Sequence, residues 1–156
     1  MGIGNFLDES SVSLKISCVT PCLTAISASF CILSIAVITF SSFKKVQSIM
    51  KDVDVVYHCA ATAHEGLSVF SPNFITKNIY QASVSVMTAS IVNKVKKFIY
   101  CSSMARYGDQ KGPFTEDMPA KPVDPYGVAK VASEETLKIL CDTHGMDYNI
   151  AVPHNI

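Results

Sequence analysis

A short apolar run that ends in two serines constrains the fold of this chain most strongly. Residues 98–101 read Phe-Ile-Tyr-Cys, and Ser102 and Ser103 follow them. An apolar run of this length that stops at small polar residues is typical of a buried β-strand. After a loop, Asp124 and Pro125 indicate a helix start, with Asp as the cap and Pro at the first helical position. The order strand, loop, helix predicts an α/β fold.

Tyr126 and Lys130 are four residues apart in that helix and therefore share one of its faces. A free tyrosine has a pKa of about 10, and a lysine ammonium one turn away favours the phenolate. We therefore expect a lowered pKa for Tyr126, which could then act as a base while Ser103 binds a substrate hydroxyl. Taken alone, a Tyr-x-x-x-Lys pattern is also found on ordinary solvated helix faces.

The remaining elements follow from apolar periodicity and from local breakers. A strand over residues 55–59 is apolar on both faces, which is typical of a parallel sheet covered by helices. His58 within it is interpreted as a satisfied core residue rather than a ligand. We further predict an amphipathic helix over 43–50, a polar loop over 63–73, a helix over 75–95, a surface loop over 106–123, a helix over 125–144 capped by Gly145, and a strand over 147–152.

Charge and cysteine usage exclude several classes of protein. The 13 basic and 13 acidic residues cancel, so no nucleic acid partner is indicated. The 6 cysteines do not form a dense secreted framework, and the closely spaced Cys18 and Cys22 lack the second pair or nearby histidines of a zinc site. We expect Cys59 and Cys101 to be reduced, buried strand residues. This usage predicts a cytoplasmic protein without a structural metal.

Residues 1–39 form an atypical apolar segment with two open interpretations. No charged residue occurs between Lys15 and Lys44, and residues 16–43 are long enough to span a bilayer. As an anchor, this segment would contact the membrane, and Lys44 and Lys45 would leave the rest of the chain cytoplasmic. The alternative is a pair of buried strands over residues 15–20 and 35–40.

Six segments carry a resemblance to a known family. They are residues 54–61 (Asp-Val-Val-Tyr-His-Cys-Ala-Ala), 78–80 (Asn-Ile-Tyr), 98–103 (Phe-Ile-Tyr-Cys-Ser-Ser), 107–109 (Tyr-Gly-Asp), 114–117 (Phe-Thr-Glu-Asp) and 125–130 (Pro-Tyr-Gly-Val-Ala-Lys). Their order and spacing resemble an extended short-chain dehydrogenase/reductase of the NAD-dependent epimerase/dehydratase group. The resemblance implies a partial Rossmann-type, doubly wound parallel sheet over residues 40–156. The first strand and glycine loop of that fold are missing, since residues 2–4 read Gly-Ile-Gly without a preceding strand.

The resemblance also implies a cofactor, a substrate class and their residues. NAD is the implied cofactor, a nucleotide sugar the implied substrate, and a homodimer the implied assembly. Asn78 would support both the cofactor and Lys130 through hydrogen bonds. The implied catalytic residues are Ser103, Tyr126 and Lys130. The cofactor residues are Cys59, Ala60, Ala61, Asn78, Ser102, Tyr126, Lys130 and His154, and the substrate residues are Ser103, Tyr126 and Asn155.

Residues after the strand serines separate the family's reactions. Its 4,6-dehydratases carry Thr-Asp-Glu after the strand serine, whereas this chain has Met104 and Ala105 after Ser103. Met104 also stands where a cysteine marks another branch of the family. The resemblance thus implies epimerisation at C4 of the sugar. The alternatives are a hydroxysteroid-type oxidoreductase with the same triad, or a truncated, inactive chain that serves as an interaction module.

Overall fold

The computed structural model describes residues 30–31 and 43–154 of the chain. A π-helical turn (Lys77–Gln81) joins the third helix to the fourth, and a 3₁₀ turn (Met104–Tyr107) follows the third strand. In chain order the elements are β1 (Phe30–Cys31), α1 (Phe43–Ile49), β2 (Val55–His58), α2 (Glu65–Ser68), α3 (Pro72–Thr76), α4 (Ala82–Val92), β3 (Lys97–Cys101), α5 (Pro125–His144) and β4 (Asp147–Ala151).

The strands form one parallel sheet in the order β1-β2-β3-β4. His58 is paired with Tyr100, and Cys101 with Ala151, so the carboxyl ends of three strands meet at one edge. The chain adds its strands one after another across the sheet, in sequence order. Since crossovers between parallel strands are right-handed, the helices between these strands all lie on the same face of the sheet. The loops that follow the strands are thereby gathered at the carboxyl edge.

One face of the sheet and three helices share a hydrophobic core. Side chains of α1, α4 and α5 pack there against alternate residues of β2 and β3, and the buried members are Val46, Met50, Val56, Val86, Met87, Ala89, Val95, Phe98, Tyr100, Leu137, Cys141 and Met146. The strand residues that point the other way, such as Tyr57 and Ile99, are only partly buried. Among residues 43–154, the helices therefore cover this one face.

The structure confirms the elements that have strong local signals. Helix α5 begins at Pro125 after the Asp124 cap and ends before Gly145, which takes a left-handed φ of 68°. Strand β3 contains the predicted run. The predicted helix over 75–95 instead begins at Pro72 and ends at Val92. Proline is favoured at a first helical position, and Lys94 with its φ of 57° cannot continue the helix.

Three further boundaries differ from the predictions. Helix α2 lies within the predicted loop over residues 63–73, and β4 ends at Ala151 rather than at residue 152. Strand β2 ends at His58, which leaves Cys59 exposed. The prediction of a buried Cys59 is therefore wrong, because the residue follows the strand rather than lying inside it.

The N-terminal predictions fall largely on residues that the structure does not describe. The predicted strands over 15–20 and 35–40 lie outside the described residues, as does most of the segment 16–43. Strand β1, which pairs with β2, was not predicted. Within residues 43–154, no helix combines the length and the apolar character that crossing a membrane requires.

Candidate active site

The first turn of α5 and the turn after β3 carry the predicted catalytic residues. The Asp124 carboxylate accepts a hydrogen bond of 2.9 Å from the Gly127 backbone N–H, so it caps the free N–H groups of the helix. The Ser103 hydroxyl likewise accepts a hydrogen bond of 3.2 Å from the Ala105 N–H and begins the 3₁₀ turn. Local capping thus fixes the start of both segments.

A close backbone approach brings these two segments together. A Cβ at Gly127 would lie 2.7 Å from the Ala105 carbonyl oxygen and 2.9 Å from Pro122 Cβ. Since real Cβ atoms are not found at such distances, only glycine permits this packing of α5 against the turn. The neighbouring Tyr126 is therefore held beside Ser103, whose hydroxyl affects the pKa of its phenol.

Tyr126 is 5% exposed and packs in a small cluster with Ile75, Ile79 and Ala129. Burial raises the pKa of its phenol, and the neighbouring Ser103 hydroxyl opposes the rise. The carboxylates of Glu65 and Asp124 raise it further. The prediction of a lowered Tyr126 pKa is therefore wrong for this structure, because desolvation outweighs the favourable contacts.

Lys130 reaches the end of β3 instead of contacting the Tyr126 hydroxyl. Its Nζ donates a hydrogen bond of 2.7 Å to the Cys101 carbonyl oxygen. It lies 5.1 Å from the centre of the Tyr100 ring and 5.9 Å from that of Tyr126. The side chain is 2% exposed, and burial lowers its pKa to about 8, while Cys101, Cys59 and Glu134 oppose this shift. The structure therefore holds an amine with perturbed protonation at the strand edge.

A buried carboxylate supports the same region from α5. Glu134 is 1% exposed, accepts a short hydrogen bond from the Ser102 hydroxyl, and forms an ion pair of 3.3 Å with Arg106. Ser102 and Arg106 lie on either side of Ser103, so one carboxylate ties both sides of the turn after β3 to the helix that carries Tyr126 and Lys130. This network was not predicted. Its sequence signal is an acidic residue one helical turn after Lys130, on the same face.

His58 lies below this site, in the helix-covered face of the sheet. Its Nε2 shares a hydrogen bond of 2.9 Å with the Ser83 hydroxyl, whereas Nδ1 is buried without a partner. Burial, assisted by the charge of Lys130, lowers its pKa to about 4. His58 is therefore a neutral core residue near pH 7, as predicted, but only one of its two ring nitrogens has a hydrogen-bond partner.

The residues predicted to hold a dinucleotide lie in different surroundings. Cys59 and Ala61 are exposed and Ala60 is partly buried at the carboxyl edge, where small side chains leave the backbone accessible. The Asn78 amide donates a hydrogen bond of 2.9 Å to the Phe74 carbonyl, and no direct hydrogen bond joins it to Lys130. His154 is exposed beyond β4, and Asn155 lies outside the described residues.

These residues fit a dinucleotide at the carboxyl edge of the sheet. The accessible backbone after β2 and the buried amine of Lys130 lie at that edge, which is where parallel α/β sheets bind such ligands. Residues 2–4, whose glycines were considered as part of a glycine loop, are outside the described part. In residues 43–154, no group of three or more His, Cys, Asp or Glu side chains is arranged to hold a metal ion.

Comparison with known proteins is consistent with this geometry. The family described as "NAD dependent epimerase/dehydratase family" matches residues 22–156. UDP-arabinose 4-epimerase 1 of Arabidopsis thaliana is 36% identical over 85 residues, which are 54% of this chain and 20% of that protein. The matched part of the chain thus spans about a fifth of the length of such curated relatives.

Solved structures share the same fold. UDP-N-acetylglucosamine 4-epimerase from Methanobrevibacter ruminantium M1, in complex with UDP-N-acetylmuramic acid, superposes with a TM-score of 0.65 and 35% identity, over 67% of this chain and 34% of that one. UDP-glucose 4-epimerase from Brucella ovis, in complex with NAD, superposes with a TM-score of 0.68 and 26% identity, over 70% of this chain and 35% of that one.

Proposed function

Because the chain belongs to the NAD-dependent epimerase/dehydratase family, we propose that it carries the proton-transfer site of a nucleotide-sugar 4-epimerase. The observation that supports this most directly is the convergence of Ser103, Tyr126 and Lys130. The Ser103 hydroxyl is near enough to the Tyr126 phenol to affect its pKa, and the Lys130 amine lies 5.9 Å from the centre of the Tyr126 ring. An alcohol, a phenol and an amine at one sheet edge are the groups that such chemistry requires.

Each residue has a distinct task in this proposal. Ser103 binds the 4-hydroxyl of the sugar, and Tyr126 removes the proton of that hydroxyl. Lys130 stabilises the phenolate through its positive charge, which burial makes more effective because the local dielectric is low. Bound NAD supplies the hydride acceptor. Cys59, Ala60 and Ala61 would hold it through accessible backbone, together with Ser102, Lys130, Asn78 and His154.

The residues around Ser103 favour epimerisation over dehydration. Water elimination needs an additional acid–base carboxylate beside the strand end. Met104 and Ala105 follow Ser103, and the carboxylate that does approach this region, Glu134, is engaged by Ser102 and Arg106. We therefore assign the site to a 4-epimerase.

We further propose a cytoplasmic homodimer. Val128 and Ile139 are 53% and 65% exposed on α5, and their spacing of about three helical turns places them on one face. A subunit contact over this face would remove both apolar side chains from water. The cytoplasmic location is supported by the free thiols of Cys59, Cys101 and Cys141. The domain boundary at residue 40 remains a prediction.

Two measurements test the proposed activity. Calorimetric titration of the chain with NAD should show saturable binding, and incubation with UDP-glucose or UDP-arabinose should yield the 4-epimer on chromatography. Tyr126→Phe should lower turnover by about 10²- to 10⁴-fold, because it removes the group that accepts the proton. Tyr148→Phe makes the same change on β4 and should retain turnover. Equal turnover of wild type and Tyr126→Phe would contradict the role of Tyr126.

A further inference from the structure

Two cysteines meet at the carboxyl edge of the sheet. The last paired residues of β2 and β3 are His58 opposite Tyr100, and the next residue on each segment is a cysteine. The Cys59 and Cys101 sulfur atoms are 3.5 Å apart, and both thiols are free. Cys59 is exposed and Cys101 is partly buried. One thiol is therefore open to solvent, and the second lies within reach of the first.

The backbone at this position suits a covalent bond between the two sulfurs. Neighbouring strands are separated by about 4.8 Å, which lies inside the Cα separations that disulfides adopt. The sulfur atoms need to approach by about 1.5 Å to reach the bond length of a disulfide. Such a shift is within reach of side-chain rotation, since Cys59 has left the strand and is exposed.

We propose that Cys59 and Cys101 form a redox-modification site, at which a small disulfide such as glutathione disulfide oxidises the pair to an intramolecular disulfide. The Cys59 thiolate attacks one sulfur of the oxidant, which forms a mixed disulfide and releases one thiol. The Cys101 thiolate then attacks the Cys59 sulfur and releases the second thiol. Two electrons pass to the small disulfide, and the two protein thiol protons end on the two released thiols.

The surroundings of the pair determine how it reacts. Burial and the hydrogen bond with Cys101 raise the pKa of the Cys59 thiol, while the positive charge of Lys130 opposes the rise. The raised pKa favours the protonated form of the Cys59 thiol, so we expect oxidation on the slow side of thiol–disulfide exchange, over minutes to hours. Cys59 reacts first because it is exposed, and Cys101 resolves the mixed disulfide because its sulfur lies 3.5 Å from that of Cys59.

The site has a consequence for the proposed function, on which this step rests. Cys59 precedes Ala60 and Ala61, and the Cys101 carbonyl accepts the hydrogen bond from Lys130. Joining the two sulfurs would turn the exposed Cys59 side chain onto Cys101 and fix the two strand ends that are proposed to hold the dinucleotide. We therefore expect the oxidised chain to bind NAD about tenfold more weakly than the reduced chain, a coupling of ordinary size.

Peptide mapping after oxidation tests the site itself. The chain is incubated with glutathione disulfide, alkylated, digested without reductant and analysed by mass spectrometry. We expect a peptide pair linked through Cys59 and Cys101, which dithiothreitol separates, while Cys141, 2% exposed, serves as the internal control that stays a thiol. Cys59→Ser and Cys101→Ser should each abolish the linked pair, and Cys101→Ser should retain glutathione on Cys59.

The results separate this inference from the proposed function. A Cys59 that carries glutathione in the wild-type chain without resolving to the linked pair would overturn the site, as would a disulfide to any other cysteine. Equal NAD affinity of the reduced and oxidised chains would overturn the regulatory consequence. A reduced chain that binds no NAD would contradict the proposed function, while the mapping result would decide the disulfide independently.

Discussion

The buried carboxylate of Glu134 should be far more important for stability than its exposed neighbour Glu135. Replacing Glu134 with Ala leaves the Arg106 guanidinium, whose side chain is 13% exposed, without its ion pair, and leaves the Ser102 hydroxyl without its acceptor. Removal of one partner from a buried ion pair costs about 3–5 kcal/mol of unfolding free energy. This is a large share of the roughly 5–15 kcal/mol by which domains are stable.

Glu135→Ala is the matched control, because it makes the same change one residue further along α5. Its ion pair with Lys138 at 2.7 Å is exposed at the surface, and such pairs contribute about 0–1 kcal/mol. Urea unfolding followed by circular dichroism measures both variants. With a slope of about 2 kcal/mol per molar urea, Glu134→Ala should lower the midpoint by about 2 M, and Glu135→Ala by less than about 0.5 M.

A third variant separates charge from hydrogen bonding. Glu134→Gln keeps an acceptor for Ser102 but removes the negative charge that faces Arg106, so its midpoint should lie between those of the other two variants. It also provides a folded sample if Glu134→Ala does not fold. Similar midpoints for Glu134→Gln, Glu134→Ala and Glu135→Ala would refute the reasoning that this buried network stabilises the turn after β3.

Three further predictions concern other parts of the chain. His58 has a pKa of about 4 in the folded state and 6.5 in the unfolded state, so the unfolded state binds more protons between these two pH values. The free energy of unfolding should therefore fall by about 3 kcal/mol as the pH drops from 6.5 to 4. His58→Gln should flatten this pH dependence in urea titrations. Gly127→Ala should destabilise the chain by about 1–3 kcal/mol in the same assay through contact with the Ala105 carbonyl, whereas Gly66→Ala, with open space around it, should be neutral or stabilising. Ile139→Glu should convert the proposed dimer to a monomer in light-scattering measurements at unchanged helix content, and a wild-type monomer would contradict the dimer.

Local signals predicted the segments that carry the site. The Asp124 cap, Pro125 at the helix start, Gly145 at its end and the serines after β3 each act within a few residues. Such features follow from backbone hydrogen bonding and allowed φ values, which the sequence shows directly. The positions of Ser103, Tyr126 and Lys130 on their elements could therefore be predicted.

Contacts between distant segments could not be predicted in the same way. The pairing of Glu134 with Ser102 and Arg106 depends on how closely α5 packs on the turn, and this follows from Gly127 and Ala105. The direction of the Tyr126 pKa shift likewise depends on burial, which helix periodicity does not report. Both properties arise from packing in three dimensions.

The π-helical turn at Lys77–Gln81 sets how much this helical segment tolerates change. A π-helical turn contains one more residue than an α-helical turn. Ile75 and Ile79 contact the cluster around Tyr126, whereas Val86 and Met87 enter the core on the sheet. Because the wide turn takes up that extra residue, deleting one residue here would restore α-helical winding while both halves keep the faces that they bury. The same deletion inside α4, where the winding is regular, would turn one half by about 100° and separate the two clusters, so a change in length is tolerated at the wide turn and not beyond it.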